Sequence, residues 1–252
     1  MSDWFLTGGA GPDAAARVFC FVHAGGNPRL FLDWQRHLPD AELVAVCAPG
    51  QGPRAAEPAQ PIEELIDGAA AAIRDSADRD PRPSYLFGHS LGGLIAFEVA
   101  RRLRDVPAVR HLVASGISAP SLLPSRRVRE LAGKEGREFV EGLVFFGGVP
   151  EDVLAEPDVL ELLLPALIAD FRRAVGYRYR PAKPLEVGVS LVVGRDDPHV
   201  GVDQLRPWER ECARPPVCHR PPGGHFYFAG RPESVTDILR ALVVADQYVE
   251  MI

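Results

Sequence analysis

Ser90, His225 and the adjacent pair Asp196 and Asp197 are the residues of this 252-residue chain whose types and order could do covalent chemistry. Ser90 lies in Gly88-His89-Ser90-Leu91-Gly92, between an apolar run at 85–87 and a run at 91–103 that reads as a helix. A strand that turns at once into a helix forces the junction residue into a strained backbone conformation, and glycines two positions either side leave room where strand and helix nearly touch. Gly-x-Ser-x-Gly alone is a weak signal; its place between a strand and a helix is what gives it meaning. A serine hydroxyl is a poor nucleophile until a base takes its proton. Of the seven histidines, His225 in Pro-Pro-Gly-Gly-His-Phe-Tyr-Phe is late in the chain, behind two glycines and before a helix. That fits the order nucleophile, acid, base. His37 and His111 read as surface or packing residues, His89 as a structural or pocket-lining one, and His199 and His219 as loop residues. Leu191-Val192-Val193-Gly194-Arg195-Asp196-Asp197-Pro198 ends an apolar strand in two carboxylates. A buried aspartate there would hold an imidazole in one tautomer and stabilise the imidazolium. The residue pattern leaves Asp196 and Asp197 both open.

Such chemistry also needs donors for a developing negative charge. Phe21-Val22-His23-Ala24-Gly25-Gly26 ends the first strong strand in a glycine loop, the position from which one backbone N–H is offered in this arrangement. The expected donors are the N–H groups of Ala24 and Leu91. The phosphate-cradling patterns GxGxxG and GxxxxGK[ST] are absent from the sequence.

The elements that must position these residues follow from the punctuation of the chain. Apolar, β-branched runs at 18–22, 43–48, 85–87, 109–115 and 187–193 read as buried strands. Residues 62–76 carry Ile62, Leu65, Ile66, Ala69, Ala70 and Ile73 at helical spacing, and 91–103, 202–212 and 232–245 read as further helices. Strands alternating with helices predict an α/β fold, with a mostly parallel central sheet covered by helices on both faces. One domain, 1–252, accommodates all of it. About seventy residues between the strands at 109–115 and 187–193 lack a strand signal, and 139–146 and 153–171 are helix-like and apolar. This stretch, about 120–180, is too long for a connection. It reads as a helical lid, with Leu163 and Leu167 facing a substrate channel, or as an extra core layer.

Composition narrows the class. With 46% hydrophobic and 25% charged residues the chain is that of an ordinary globular protein. Its net charge of −6 argues against nucleic-acid binding. No apolar run is long enough to span a bilayer, and the first residues lack the layout of a signal peptide, so a cytoplasmic protein without membrane attachment is expected. Cys20, Cys47, Cys212 and Cys218 have no close pairing in sequence, and Cys20 and Cys47, inside strand-like runs, read as buried free thiols. No metal or cofactor is called for.

Six stretches in order, HAGG after the first strand, PGQGPR at 49–54, GHSLGG, LLLPALIADFRRAVGYRYRP, GRDDP and GGHF, resemble the type II thioesterases, free-standing α/β-hydrolases that accompany polyketide and nonribosomal peptide synthetases. The similarity runs from about residue 17 to 245. It implies hydrolysis of acyl groups from the phosphopantetheine arm of acyl or peptidyl carrier proteins. Carried over motif by motif, it implies Ser90 as nucleophile, His225 as base and Asp197 as acid. Val22 stands where the family usually has proline and Leu91 where it often has methionine. Both positions act mainly through the backbone. A carboxylesterase or acyltransferase on the same triad, or a non-catalytic binding protein on this fold, are the alternatives. The clusters Arg126, Arg127, Arg129 and Arg172, Arg173, Arg178, Arg180 at the two ends of the insertion read either as flanking the channel mouth for an acidic partner or as a solvated basic face with no partner.

Overall fold

The computed structural model describes residues 3–9, 14–146 and 156–250. Seven strands, β1 (Phe5–Thr7), β2 (Ala16–Phe21), β3 (Ala41–Val46), β4 (Ser84–His89), β5 (Val109–Ser115), β6 (Gly188–Val192) and β7 (Val217–His219), form one sheet in the order β1-β3-β2-β4-β5-β6-β7. Every neighbour pair is parallel except β1 with β3. The central strands are apolar on both faces because both are covered. Phe19 and Phe21 of β2 join one core with α1 (Ile62–Arg79) and α2 (Leu91–Arg102), while Val18 and Cys20 point the other way. There they meet Phe31 and Trp34 of the 3₁₀ segment Pro28–His37, and Val235 and Leu239 of the last helix, Glu233–Glu250. Cys20 and Cys47 are buried free thiols, as their strand context predicts.

Two of the expected elements change. The stretch 202–212 is one α-turn, Val202–Leu205, followed by a 3₁₀ segment, Arg206–Arg210. Pro207 explains the break: Arg206 still has α dihedrals (φ −53°, ψ −42°), but the proline has no N–H to donate to Asp203 O, so the α ladder cannot continue. The three-residue strands β1 and β7 carry too few residues for a periodic signal, and His219 therefore lies in β7 rather than in a loop.

Between β5 and β6 lie three helices: α3 (Arg126–Ala132), α4 (Gly136–Phe146) and α5 (Pro157–Gly176). Leu131, Phe139, Leu143, Leu167 and Phe171 make an apolar cluster of their own, apart from the two cores on the sheet. The expected helix at 153–171 is described from Pro157 onward; 153–155 lie outside the described residues. α5 runs through Pro165, forgoing one main-chain hydrogen bond there.

Candidate active site

Every residue singled out for chemistry sits at the C-terminal edge of the parallel strands, where this class of sheet holds its ligands. Ser90 follows β4 directly and opens α2. With φ +54° and ψ −120° it is the one non-glycine residue with positive φ among the described residues. Such a conformation costs about 1–3 kcal/mol and persists only where the surroundings enforce it. Here they do: Ser90 N–H donates to Ser115 O at 2.8 Å, and Ser90 O accepts from Gly93 N–H at 2.9 Å. The flanking glycines are steric necessities. A Cβ on Gly88 would stand 2.1 Å from Gly92 O, and one on Gly92 would stand 2.1 Å from Phe21 O.

His225 follows β7 in the loop Pro221-Pro222-Gly223-Gly224, and its Nδ1 is 2.8 Å from Asp197 Oδ2. The other Asp197 oxygen accepts the N–H groups of His199 (2.7 Å) and Val200 (3.2 Å). The Asp197 side chain has 0% exposure. Burial pushes its pKa up, but the hydrogen bond and charge of His225 and the His199 N–H outweigh it and leave the carboxyl below its ordinary value. It is therefore ionised at neutral pH. Asp196 is exposed, and only its backbone N–H is engaged in the turn, donating to Gly223 O. The geometry thus separates the two carboxylates that the residue pattern left open. The loops bearing Asp197 and His225 touch through backbone: a Cβ on Gly194 would lie 2.1 Å from Gly224 O and 2.4 Å from Gly223 O.

Ser90 and His225 line one open cleft of about 410 Å³ together with Ile117, Arg126, Arg127 and His199. From Ser90 a narrower cavity of about 80 Å³ runs beneath the inserted helices, lined by Ala24, Leu91, Leu94, Ile117, Val128, Phe171 and Ala174 among others. Ala24 and Leu91 therefore meet at the serine, and Leu91 is the first residue of α2, where the helix presents unpaired N–H groups and the positive end of its dipole. A carbonyl bound against Ser90 with its oxygen between these two would be open to attack on one face and to hydrogen bonding on the other.

His89 is structural, as its sequence context suggests, whereas His23, His199, Ser115 and Tyr227 are not evident as site neighbours in the sequence. His89 is wholly buried. Its Nδ1 meets Ser115 Oγ at 2.8 Å, and Ser115 Oγ meets Tyr227 Oη at 2.7 Å, a chain of contacts beneath the serine turn. His23, His89 and Phe226 pack ring against ring, as do His199 and His225, whose centroids are 4.7 Å apart. Burial, and then the proximity of His225, lowers the His23 pKa to about 4, so this ring is neutral beside His225 at neutral pH. The walls of the narrow cavity contributed by α5 are Phe171 and Ala174. Leu167 is buried in the lid cluster with its side chain over Gly25, and Leu163 packs half-buried on the same cluster. Phe171 and Ala174 carry the helical phase of Leu163 and Leu167 one to two turns further, which an apolar run alone does not distinguish.

The arginine clusters divide. Arg126 and Arg127 line the cleft with Ser90, whereas the second cluster does not flank it. Arg173 is buried, 2.5 Å from Asp170, and Arg178 and Arg180 gather with Arg101, Arg102 and Arg104 at the far end of α2 from the serine. The chain leaves α5 at Gly176 and runs beside the end of α2, where Tyr177 donates to Glu98 and Arg101 donates to Arg180 O, which carries Arg178 and Arg180 away from the rim.

The sheet and the serine turn define an α/β-hydrolase. The thioesterase domain model matches residues 16–243. Thioesterase PikA5 of Streptomyces venezuelae is 36% identical over 220 residues, 86% of this chain and 76% of that protein. The gramicidin S biosynthesis protein GrsT of Aneurinibacillus migulanus is 30% identical over 231 residues, covering 90% of this chain and 88% of that one. Among solved structures, the type II thioesterase BorB from the borrelidin biosynthetic cluster superposes with a TM-score of 0.83 at 30% identity, covering 95% of this chain and 97% of that one. The chain belongs to the thioesterase family, and within it to the type II thioesterases. It is an enzyme that hydrolyses thioesters.

Proposed function

We propose that the protein removes acyl groups from the phosphopantetheine arm of acyl or peptidyl carrier proteins in polyketide or nonribosomal peptide biosynthesis, through a Ser90–His225–Asp197 triad. The observation that carries this reading is the buried Asp197–His225 hydrogen bond opening on the same cleft as the strained Ser90. Ser90 Oγ attacks the thioester carbonyl carbon while His225 Nε2 takes its proton, and the new oxyanion is held by the N–H groups of Ala24 and Leu91. Collapse breaks the carbon–sulfur bond, and His225 returns the proton to the departing pantetheine sulfur. A water molecule, deprotonated by the same imidazole, then attacks the acyl-serine. Collapse of this second adduct breaks the bond from the acyl carbon to Oγ, His225 returns the proton to Ser90 Oγ, and the carboxylic acid product leaves. Asp197 stays ionised throughout and stabilises the imidazolium.

The inserted helices act as a lid whose buried face receives the acyl chain. The relatives' pathways support the carrier-protein assignment: GrsT is named for gramicidin S biosynthesis and BorB for the borrelidin cluster. No helix among the described residues is long and apolar enough to cross a membrane, in keeping with a cytoplasmic site of action. Arg126 and Arg127 at the cleft supply positive charge for an acidic partner on a chain that is itself net negative. The test is steady-state hydrolysis of a panel of acyl-carrier-protein thioesters, set against the matching oxygen esters and against transfer to an added acceptor. Preference for the oxygen ester, or transfer outpacing hydrolysis, would defeat the proposal.

A further inference from the structure

The stretch LLLPALIADFRRAVG contains one carboxylate, between an apolar run and two arginines, and the triad does not use it. That residue, Asp170 of α5, has 1% exposure. Its Oδ2 accepts the backbone N–H of Gly25 at 2.8 Å and the Gln51 side-chain amide at 3.2 Å; its Oδ1 meets Arg173 at 2.5 Å. Arg173, also buried, donates in turn to Pro49 O (2.8 Å) and Gln60 O (2.9 Å). A burial this deep is expensive for a carboxylate unless each oxygen is hydrogen-bonded, and both are. The pair therefore joins three separate segments: α5, the loop after β3, and the glycine loop after β2.

The contact with Gly25 matters because of where that N–H sits. Gly26 N–H bonds back to His23 O at 3.0 Å, and Gly25 has φ +71°, so residues 23–26 form a turn with a left-handed third residue, as in type II. Type I and type II turns differ by a flip of the central peptide, here the Ala24–Gly25 peptide. Glycine at this position permits either form. A carboxylate on the Gly25 N–H selects one. Leu167 adds to the selection by packing over the same glycine, 2.2 Å from where a Cβ would stand. The adjoining peptide carries the Ala24 N–H.

We infer that Asp170 is a positioning residue: by holding the Gly25 N–H it fixes the peptide next to the Ala24 donor, so that the lid helix sets the geometry of the oxyanion site. This rests on the assignment of Ala24 as an oxyanion donor made above. The structural alternative is that Asp170 only neutralises Arg173 and so stabilises the attachment of α5.

Asp170→Ala, which deletes the acceptor, and Asp170→Asn, which keeps a weaker one, separate the two. Activity should be measured on a short acyl-pantetheine thioester and normalised to sites titrated with a serine-reactive phosphonate. Asp170→Ala is expected to lower kcat about tenfold to a hundredfold, below the cost of deleting an oxyanion donor outright. KM should stay within about twofold, and affinity for an acyl trifluoromethyl ketone, which forms a tetrahedral adduct on serine, should fall by the same factor as kcat. Asp170→Asn should recover most of both. Unchanged kcat and ketone affinity per titrated site in Asp170→Ala, with only a lower melting temperature, would overturn the inference in favour of the structural role. If Asp170→Ala does not fold, the Gly25 amide resonance decides. It should move upfield in Asp170→Asn as a charged acceptor becomes neutral, and an unmoved resonance overturns the inference. That resonance does not depend on turnover, so a failed Ser90 assignment, seen as undiminished hydrolysis by Ser90→Ala, remains a separate result.

Discussion

Ser90 is held in its strained turn by backbone bonds on both sides, so deleting its hydroxyl leaves the scaffold nothing to repair. Ser90→Ala is expected to fold with an unchanged melting curve and to keep less than about a thousandth of the wild-type rate, the residue of catalysis that binding and oxyanion donors alone provide. The two neighbouring aspartates should part widely. Asp197→Asn replaces the carboxylate that accepts from His225 and from two N–H groups, and should cost about four orders of magnitude in kcat, as when the orienting carboxylate of such a triad becomes an amide. Asp196→Asn touches an exposed side chain and should stay within about threefold. The opposite ranking in kcat would transfer the acid's role to Asp196. At this scale the sequence speaks clearly where a residue's job is local. Gly88, Ser90 and Gly92 declare a turn because their spacing is the turn. Asp170 is silent in sequence because its partner Gly25 lies 145 residues away, and a single acid between an apolar run and two arginines has many commonplace explanations.

Elements long enough to show a period, such as α1 and α2, are legible from spacing alone, whereas β1 and β7, with three residues each, depend on the sheet edges they join. The insertion is legible as apolar and helical, but which residues of α5 line the cavity is not, since cluster and cavity draw on one stripe of that helix: Leu163 and Leu167 lie in the lid cluster, and Phe171 and Ala174 further along reach the cavity. Ala174 is a small side chain at a cavity of about 80 Å³. Ala174→Phe should fill it and cut kcat/KM for long acyl chains at least tenfold more than for acetyl. A uniform loss across chain lengths would instead indicate an overpacked layer. The second element-scale prediction concerns the junction of β4 and α2. Gly92→Ala brings a methyl group against Phe21 O, a backbone atom that cannot step aside, and should lower stability by about 2 kcal/mol or more in urea unfolding while abolishing activity. Wild-type stability in that variant would show that the helix can shift away from β2.

For the molecule as a whole, the buried His23 and His89 and the partly buried His111 tie stability to pH. Burial lowers the pKa of His23 and of His111 to about 4, with smaller effects from neighbouring charges, and places His89 well below its ordinary value. In the unfolded chain each takes up a proton near pH 6.5, before the folded state can. Their contribution is therefore complete above about pH 6.5 and is lost as pH falls towards 4. Between pH 7.5 and 5, urea titrations should record a loss of about 1–2 kcal/mol for each of His23 and His111. A flat profile over that interval would contradict the burial of these rings. Asp197, with its pKa lowered, adds a further loss only below the ordinary carboxylate range. Charge at the cleft is expected to bear on encounter with a carrier protein as well. Reversing Arg126 and Arg127 to Glu should raise KM for a carrier-protein substrate several-fold, an effect that shrinks with added salt, and leave a small acyl-pantetheine thioester nearly unchanged. Equal effects on both substrates would mean that these arginines shape the cleft rather than meet a partner.

The closeness of Gly194 to Gly223 and Gly224 has a genetic reading. A methyl group at 194 would strike carbonyl oxygens of the loop that carries His225, and those belong to the main chain, whatever side chains surround them. No second mutation at 223 or 224 can remove an obstacle that every amino acid brings. From a Gly194→Ala strain kept under selection for thioesterase activity, recovered isolates should therefore carry the glycine codon restored, with compensating changes in the neighbouring loop absent.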